Sequence, residues 1–460
     1  MLERISRHAA AFDGYTELRL HNNYVASIEM QNGNLTKNET NTTGGISARC
    51  YRYGVYSFAS APDDSDDAIR QVITEAQSNV GLFRDQPQRA QKSLPSTPPG
   101  TGVYDYRTRK PRFSASERVD VVRSLNDYLT QTHPDLLSVG LQMKSLALEK
   151  ALVTSEGAST YSYAPHSHFI VTMAVQADDG LVNISDFVGG FGDMEDQFAD
   201  LESFYEPMEE LYRDLRAKAQ GVYPEAGYHD VVLGSALAGI LAHEAIGHPC
   251  EGDAVLAGSV AGQNLGKQVA SEKVTLMDCA GRGPDGQGGI AIHVDDEGTP
   301  CHDVTIIEKG VLKEFLTNKE TARELGMIPS GNARAYAFSD EPLVRMRNTI
   351  IAPGTDKFED MIAAVDNGYF IKRRGITGQA DKTSEFMFSV NCGYEIKNGE
   401  LGRAIRDTTI SGMAFDVLKS VTHVGDEMSW GAGGMCGKKQ VMPVGGGGPA
   451  VKCKINIGGH

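Results

Sequence analysis

Residues 235 to 250 constrain this chain more than any other stretch. From Ala236 to Gly247 the residues are apolar on nearly every helical face, with Leu237, Ile240, Leu241 and Ala242 leaving no polar side. A helix of that kind belongs in the interior. Yet it carries His243-Glu244-Ala245-Ile246-Gly247-His248, and imidazole and carboxylate groups placed inside a protein need partners. A metal ion supplies one. Neutral imidazole is a first-rank zinc ligand, and a carboxylate beside it can take a proton from water that the metal polarises. The widespread HExxH spacing sets the histidines four apart on one helix face. Here they are five apart, and at about 100° per residue the second side chain points roughly 140° away from the first. A straight α-helix cannot aim both at one ion. Gly247 relaxes the backbone, and Pro249 pushes His248 out of the α region. The expectation is a buried helix, capped by Ser235, that bulges or ends at Gly247–His248 and so brings His248 round to His243, with Glu244 as the base.

Two histidines do not complete such a site, because a catalytic zinc generally takes three protein ligands. Cys436 is the best remaining candidate. It lies in Gly434-Met435-Cys436-Gly437-Lys438-Lys439, where small neighbours allow close approach and two lysines favour the thiolate. Cys250 follows Pro249 and can point away, while Glu251 and Asp253 are candidates for a ligand or for a carboxylate supporting one. Asp295-Asp296-Glu297-Gly298 reads as a solvated hairpin turn, and Gly445 to Gly448 as a turn before the last strand. Arg345, Asn348, Gln379 and Asp381 sit in polar, glycine-rich surroundings and are candidate substrate contacts.

The rest of the chain indicates an α+β protein. Its 460 residues suffice for two or three cores. The net charge of −16 argues against nucleic acid as a partner, because phosphate would be repelled. No apolar run approaches the ~20 residues that span a bilayer, and the N-terminus is too polar for a secretion signal. Seven scattered cysteines suit a reduced, cytoplasmic protein. Residues 15 to 58 read as a β-meander with an Asn32-Gly33 turn, and residues 66 to 83 as a helix with Ile69, Val72, Ile73, Ala76 and Val80 on one stripe. Residues 94 to 112 read as a loop. A second helix starts near Ser114, which forms a capping box with Glu117. Two or three strands lie between Leu136 and Ala177, and a helix runs from Pro207 to about Ala219. The composition changes near Gly221, so 1–220 is expected to be a mixed α/β domain and 221–460 a β-rich domain carrying the metal helix. Short helices are expected at Lys319–Leu325 and Lys357–Asn367.

Taken together, these segments resemble the TldD/PmbA family of metalloproteases. The resemblance covers most of the chain and rests on His243 to Asp253, Val294 to Pro300, Pro329 to Asn332, Arg345 to Thr349, and Cys436 to Lys438 followed by Val441 to Val444. It implies zinc on His243, His248 and Cys436, with Glu244 as the base. The motif is intact, so the chain is similar to the TldD branch, the metal-competent one. The resemblance further implies hydrolysis of small or unfolded peptides, including peptide precursors. It also implies a homodimer, or a heterodimer with a PmbA-like relative that lacks the motif. A non-catalytic regulatory or binding subunit with a structural zinc is the competing reading, and it leaves Glu244 without a task.

Overall fold

The computed structural model describes every residue except 85–92, 284–287, 381–382, 432 and 459–460, together with all side chains elsewhere apart from those of 376, 377, 379 and 380. The architecture is α+β and rich in strands. The N-terminal part is one sheet of β1 (Tyr15–Gln31), β2 (Asn34–Arg52), β3 (Val55–Ala61), β4 (Thr101–Asp105), β5 (Ser138–Thr154), β6 (Ser159–Ala177) and β7 (Gly180–Phe191). Its order is β3-β2-β1-β5-β6-β4, with β7 also on β6, and only the β4–β6 pair is parallel. The meander begins as expected: Asn32 and Gly33, both at positive φ (50° and 76°), close the β1–β2 hairpin. Strand β4 falls inside the stretch expected to be a loop. None of the prolines of that stretch lies within the strand, so its backbone remains free to pair with β6.

Strand alternation divides this sheet into two unlike faces. Leu18, Leu20, Ile28 and Met30 of β1, with Leu141, Met143 and Val153 of β5, point to one side and are buried. Three helices cover that side: α1 (Asp66–Gly81), α2 (Ala115–Thr132) and α3 (Tyr205–Ala219). Helix α1 buries the expected stripe of Ile69, Val72, Ile73, Ala76 and Val80. Helix α2 starts with the Ser114–Glu117 capping box.

The other face presents Glu17, Arg19, His21 and Asn23 of β1 and Arg49 of β2, all buried. These residues meet the C-terminal half. Arg49 grips Glu17 with two hydrogen bonds of 2.9 Å and Glu297 with one of 2.5 Å, while Lys150 donates to Asp296 at 2.6 Å. The turn at Asp295-Asp296-Glu297 is therefore not solvated. The carboxylates of Asp296 and Glu297 are buried against cations from the first sheet, a long-range pairing that local turn chemistry cannot reveal, while that of Asp295 accepts backbone N–H groups of Glu297, Thr299 and Ala333.

The C-terminal half contains two further seven-stranded sheets. One contains β8 (Gly227–Leu233), Asn367–Ala380, Glu385–Lys397, Glu400–Ile405, Thr408–Met413 and Val451–Ile457, and the pairing of Asn367–Ala380 with Glu385–Lys397 closes five of its strands into a ring. The other runs through Leu276–Cys279 and Asn348–Ile351 to the long strand Gln440–Gly448. The four glycines of 445 to 448 thus belong to a strand, not to a turn. They keep it bare where neighbours approach: a Cβ on Gly445 would lie 2.1 Å from Asn348 Oδ1. The helix Lys319–Leu325 has the expected bounds. That expected at Lys357–Asn367 is only Phe358–Ala363, because Asn367 already opens a strand. Among the described residues no helix is long and apolar enough to cross a membrane.

The buried ion cluster makes the contact between the halves sensitive to single changes. Arg49→Leu strands the Glu17 and Glu297 carboxylates, and it should lower stability by about 3–5 kcal/mol. Urea unfolding of the variant should show a large fall in midpoint, and adding Glu17→Gln and Glu297→Gln should restore much of it. A shift below about 1 kcal/mol would mean that water relieves the stranded charges.

Candidate metal centre

The site is built on a helix that changes its winding. Gly234 occupies the N-cap position with extended backbone, and Ser235, expected to cap, is instead the first helical residue and makes no side-chain cap bond. Ser235–Ile240 is α-helical. From Leu241 to Gly247 the winding widens to a π-helix, and His248–Cys250 tightens into a 3₁₀ turn. The departure from α geometry thus begins before the motif, not at Gly247–His248. The His248 N–H donates to the His243 carbonyl, an i→i+5 bond. That winding stacks residues five apart, which is the spacing of the two histidines. Their rings stand 5.2 Å apart, centroid to centroid, at 76°. Pro249 brings no N–H to an α-type ladder, which removes one reason for the narrower winding to persist.

Two glycines let this helix sit where it does. A Cβ on Gly239 would lie 2.9 Å from the Gly447 backbone nitrogen, and one on Gly247 would lie 2.0 Å from Met346 Sδ. The helix therefore packs directly on the glycine-bare strand Gln440–Gly448.

That strand pairs with Gly434–Lys438, which places Cys436 opposite Met442. The hairpin is pinned from behind. Arg345, fully buried, donates to the Cys436 carbonyl at 2.7 Å and to the Gln440 carbonyl at 2.8 Å. Lys438 Nζ reaches Asp253 at 2.8 Å, Glu251 at 3.1 Å and the Val344 carbonyl at 2.9 Å. Cys436 Sγ then stands 3.2 Å from His248 Nε2. The other ring nitrogen, Nδ1, lies 2.8 Å from Glu251 Oε2. Glu251 thus fixes the ring and turns Nε2 toward the thiol, an arrangement common behind metal-bound histidines. Glu244 Oε2 lies 3.7 Å from His248 Nε2.

The donor atoms of His243, His248 and Cys436 all lie within 4.8 Å of one another. Burial alone would raise the Cys436 thiol, but hydrogen bonding and the charge of the two histidines bring it down to about 5. Burial alone would lower His248, whereas Cys436 and Glu251 carry it up to about 10. A thiolate and two imidazoles around one point fit a tetrahedral metal with one side open. His243 Nδ1, buried and without a hydrogen-bond partner among the described residues, agrees with that fit. The open side is a cleft of about 660 Å³, lined by Glu244, Phe187, Arg374, Phe388 and the glycines 433, 434 and 437.

Other sequence candidates fall elsewhere. Cys250 is wholly buried in the apolar core, which raises its thiol. Arg345 supports the Cys436 hairpin, and Asn348 is fully buried with its amide on the Cys279 and Ile290 carbonyls and its Oδ1 on the Ile290 N–H. Neither lines the cleft, because both complete backbone hydrogen bonding inside the fold. The Gln379 side chain and all of Asp381 lie outside the described residues. Arg374 and Phe187 line the cleft without having been marked in the sequence. Arg374 follows two other cations, and nothing local distinguishes it from them.

The fold brings together a donor set that could hold a metal ion, open to a cleft and with a carboxylate at its edge. Residues 226–459 match the PmbA/TldA metallopeptidase C-terminal domain, and residues 16–80 match domain 1 of the same group. A metalloprotease of Methanothermobacter thermautotrophicus is 30% identical over 449 residues, covering 96% of this chain and 94% of that protein. A zinc metalloprotease TldD homolog of Saccharolobus solfataricus is 27% identical over 75% of this chain and 76% of its own. The crystal structure of TldE from Thermococcus kodakarensis shares the fold at a TM-score of 0.79 and 18% identity, covering 99% of both chains. The chain belongs to the TldD/PmbA family of metallopeptidases.

The Gly247–Met346 contact predicts a measurable coupling. Gly247→Ala should cost about 1–3 kcal/mol through overpacking. Combined with Met346→Ala it should cost less than the sum of the single changes, since each relieves the other. Strict additivity in thermal or urea unfolding would mean that this contact does not hold the widened turn.

Proposed function

We propose that this chain is a zinc-dependent peptidase acting on small or unfolded peptides, peptide precursors among them. His243, His248 and Cys436 would hold the zinc, and Glu244 would serve as the base. The observation that carries this reading is the convergence of the three donor atoms within 4.8 Å, with the Glu244 carboxylate beside them in an open cleft. Zinc, when bound, supplies a Lewis acid for the scissile carbonyl and for water. Glu244 accepts the proton as water attacks the carbonyl, and returns it to the leaving amine. Glu251 holds His248 in one orientation throughout. Arg345 and Lys438 keep the Cys436 hairpin in register, so the thiolate stays aimed at the helix.

A purely structural zinc would be closed on all sides and would give Glu244 no part to play. We further read residues 1–220 and 221–460 as the two domains and the cytoplasm as the compartment. The chain would work as a homodimer or beside a PmbA-like relative lacking the motif. The likeness to TldE supports such a partnership.

Purified protein should carry about one zinc per chain, and chelation should abolish peptide cleavage. Glu244→Gln should keep the metal and lose turnover by about 10²-fold or more. Near-normal rates in that variant would assign the proton to another group.

Cys436→Ser should lower zinc content and melting temperature together, because the thiolate joins the hairpin to the helix. Cys250→Ser should leave zinc content nearly unchanged. If the metal is lost from Cys250→Ser and kept by Cys436→Ser under the same dialysis, the ligand assignment fails.

A further inference from the structure

Lys372, Arg373 and Arg374 are consecutive cations on the strand Asn367–Ala380. The first two are neutralised where they stand. Lys372 Nζ lies 2.9 Å from Asp214 and 2.7 Å from Glu210. Arg373 Nε lies 2.5 Å from Asp214, and its Nη1 meets Asp186. Two neighbours on a regular strand would point to opposite faces. Here the register against Glu385–Lys397 slips repeatedly between Ile371 and Gly378, and such bulges re-aim side chains. Lys372 and Arg373 therefore both reach Asp214, and Arg374 turns into the cleft that contains the donor set.

Arg374 is a different kind of cation from its neighbours. It is partly buried, and it makes no hydrogen bond or ion pair with any described residue. Its guanidinium carbon lies 4.8 Å from the centroid of the Phe187 ring. Phe187 belongs to β7, so the wall contributed by the N-terminal sheet fixes the guanidinium. A stacked guanidinium keeps its edge donors free. Two carboxylates act on it electrostatically, Asp186 and Glu244. Asp186 is already held by Arg373, and Glu244 has its own task at the donor set. An unpaired cation in a half-buried cleft is costly unless something arrives to pair with it. The fork geometry of guanidinium matches a carboxylate through two parallel hydrogen bonds.

We infer that Arg374 is the specificity-determining residue of the cleft, receiving a carboxylate of the peptide substrate. That carboxylate is either the chain's own C-terminus or an Asp or Glu side chain near the scissile bond. The inference rests on the peptidase reading for its ligand. It concerns binding, so it can be tested without turnover.

The probe is a set of fluorescent peptides of three kinds: a neutral, C-terminally amidated parent, the same peptide with a free C-terminus, and amidated variants of the parent in which one Gln at a time is replaced by Glu along its length. Affinity is measured by anisotropy on zinc-loaded Glu244→Gln protein, which binds without cleaving. At least one carboxylate peptide should bind about tenfold tighter than the neutral parent. The arm that does so identifies the source of the carboxylate. Adding Arg374→Gln should erase the advantage, and Arg374→Lys should retain part of it. In the cleaving enzyme the preference should appear in KM and not in kcat. Two results would overturn the assignment: equal affinity for charged and neutral peptides, or an equal loss for all peptides in Arg374→Gln. The second would place Arg374 on a group common to every substrate, such as the reacting carbonyl. A variant that misfolds is bypassed by salt titration of the unmutated site, where the carboxylate advantage should shrink as ionic strength rises and a constant advantage counts against the pair. Charge preference without cleavage of any peptide would sustain Arg374 and defeat the peptidase reading. Cleavage with no charge preference would do the reverse.

Discussion

The hydrogen bond from the His248 N–H to the His243 carbonyl sets the geometry of the whole centre. In an α-helix that N–H would reach back only four residues, and the two imidazoles would diverge. Taking the fifth carbonyl widens the helix and brings the two rings together edge to face. Wide turns of this kind are uncommon because their backbone packs less well, and they persist where surrounding structure compensates. Here the compensation is close packing at two glycines. Gly239 lies against Gly447, and Gly247 lies against Met346. A side chain at Gly239 would push the helix off the strand that carries the hairpin of Cys436, and one at Gly247 would collide with the buried Met346 side chain.

The same helix is coupled to distant parts of the chain through buried cations. Arg345 and Arg347 are both fully buried and lie two residues apart. Arg345 holds the carbonyl of Cys436, whereas Arg347 pairs with the equally buried Asp278 at 2.8 Å. Asp278 also accepts from Asn332, whose neighbour Ala333 donates its N–H to Asp295 in the seam against the N-terminal sheet. A buried pair of this kind gives little net stability, but removing either member leaves a charge that the interior cannot solvate. The network therefore acts mainly by excluding other arrangements. Buried polar contacts thus run from the hairpin through Arg345 and Arg347 to the acidic turn at the seam.

Periodicity made the N-terminal helices legible. The stripe of Ile69 to Val80 and the Ser114–Glu117 box are local signals, and local signals suffice for helices that pack on a sheet. The motif also showed that His243 and His248 required an irregular helix. Its location was misjudged, because a π turn has no residue signature, whereas Gly247 and Pro249 do. The acidic turn and the glycine strand were misread for one common reason. What makes Glu297 buried is Arg49, 248 positions away in sequence, and what makes Gly445 a strand residue is the close approach of Asn348. Neither neighbour can be inferred from local composition. Arg345 and Asn348 were marked for substrate because polar residues among glycines resemble a binding loop. The structure shows them completing the hydrogen bonds of backbone that the glycines leave bare.

Arg345 and Arg374 show how burial and partners, not residue type, decide what an arginine does near a site. Arg345 has its donors on the Cys436 and Gln440 carbonyls, so moving it would cost the hairpin its support and nothing in the cleft could compete for it. Arg374 has an aromatic face on one side and the open cleft on the other. The first stiffens the centre, and the second leaves a charge available to whatever enters. The division also follows the architecture. The C-terminal half contributes all three donor atoms and the groups that orient them, whereas the N-terminal sheet contributes the ring of Phe187 and, through Asp186, neutralises the cation beside Arg374. The buried ion seam that joins the halves therefore fixes the distance between the donor set and the wall on which Arg374 rests. Loosening that seam would change substrate fit before it disturbed the donor set, since the helix and the hairpin that carry the donors lie on one side of it.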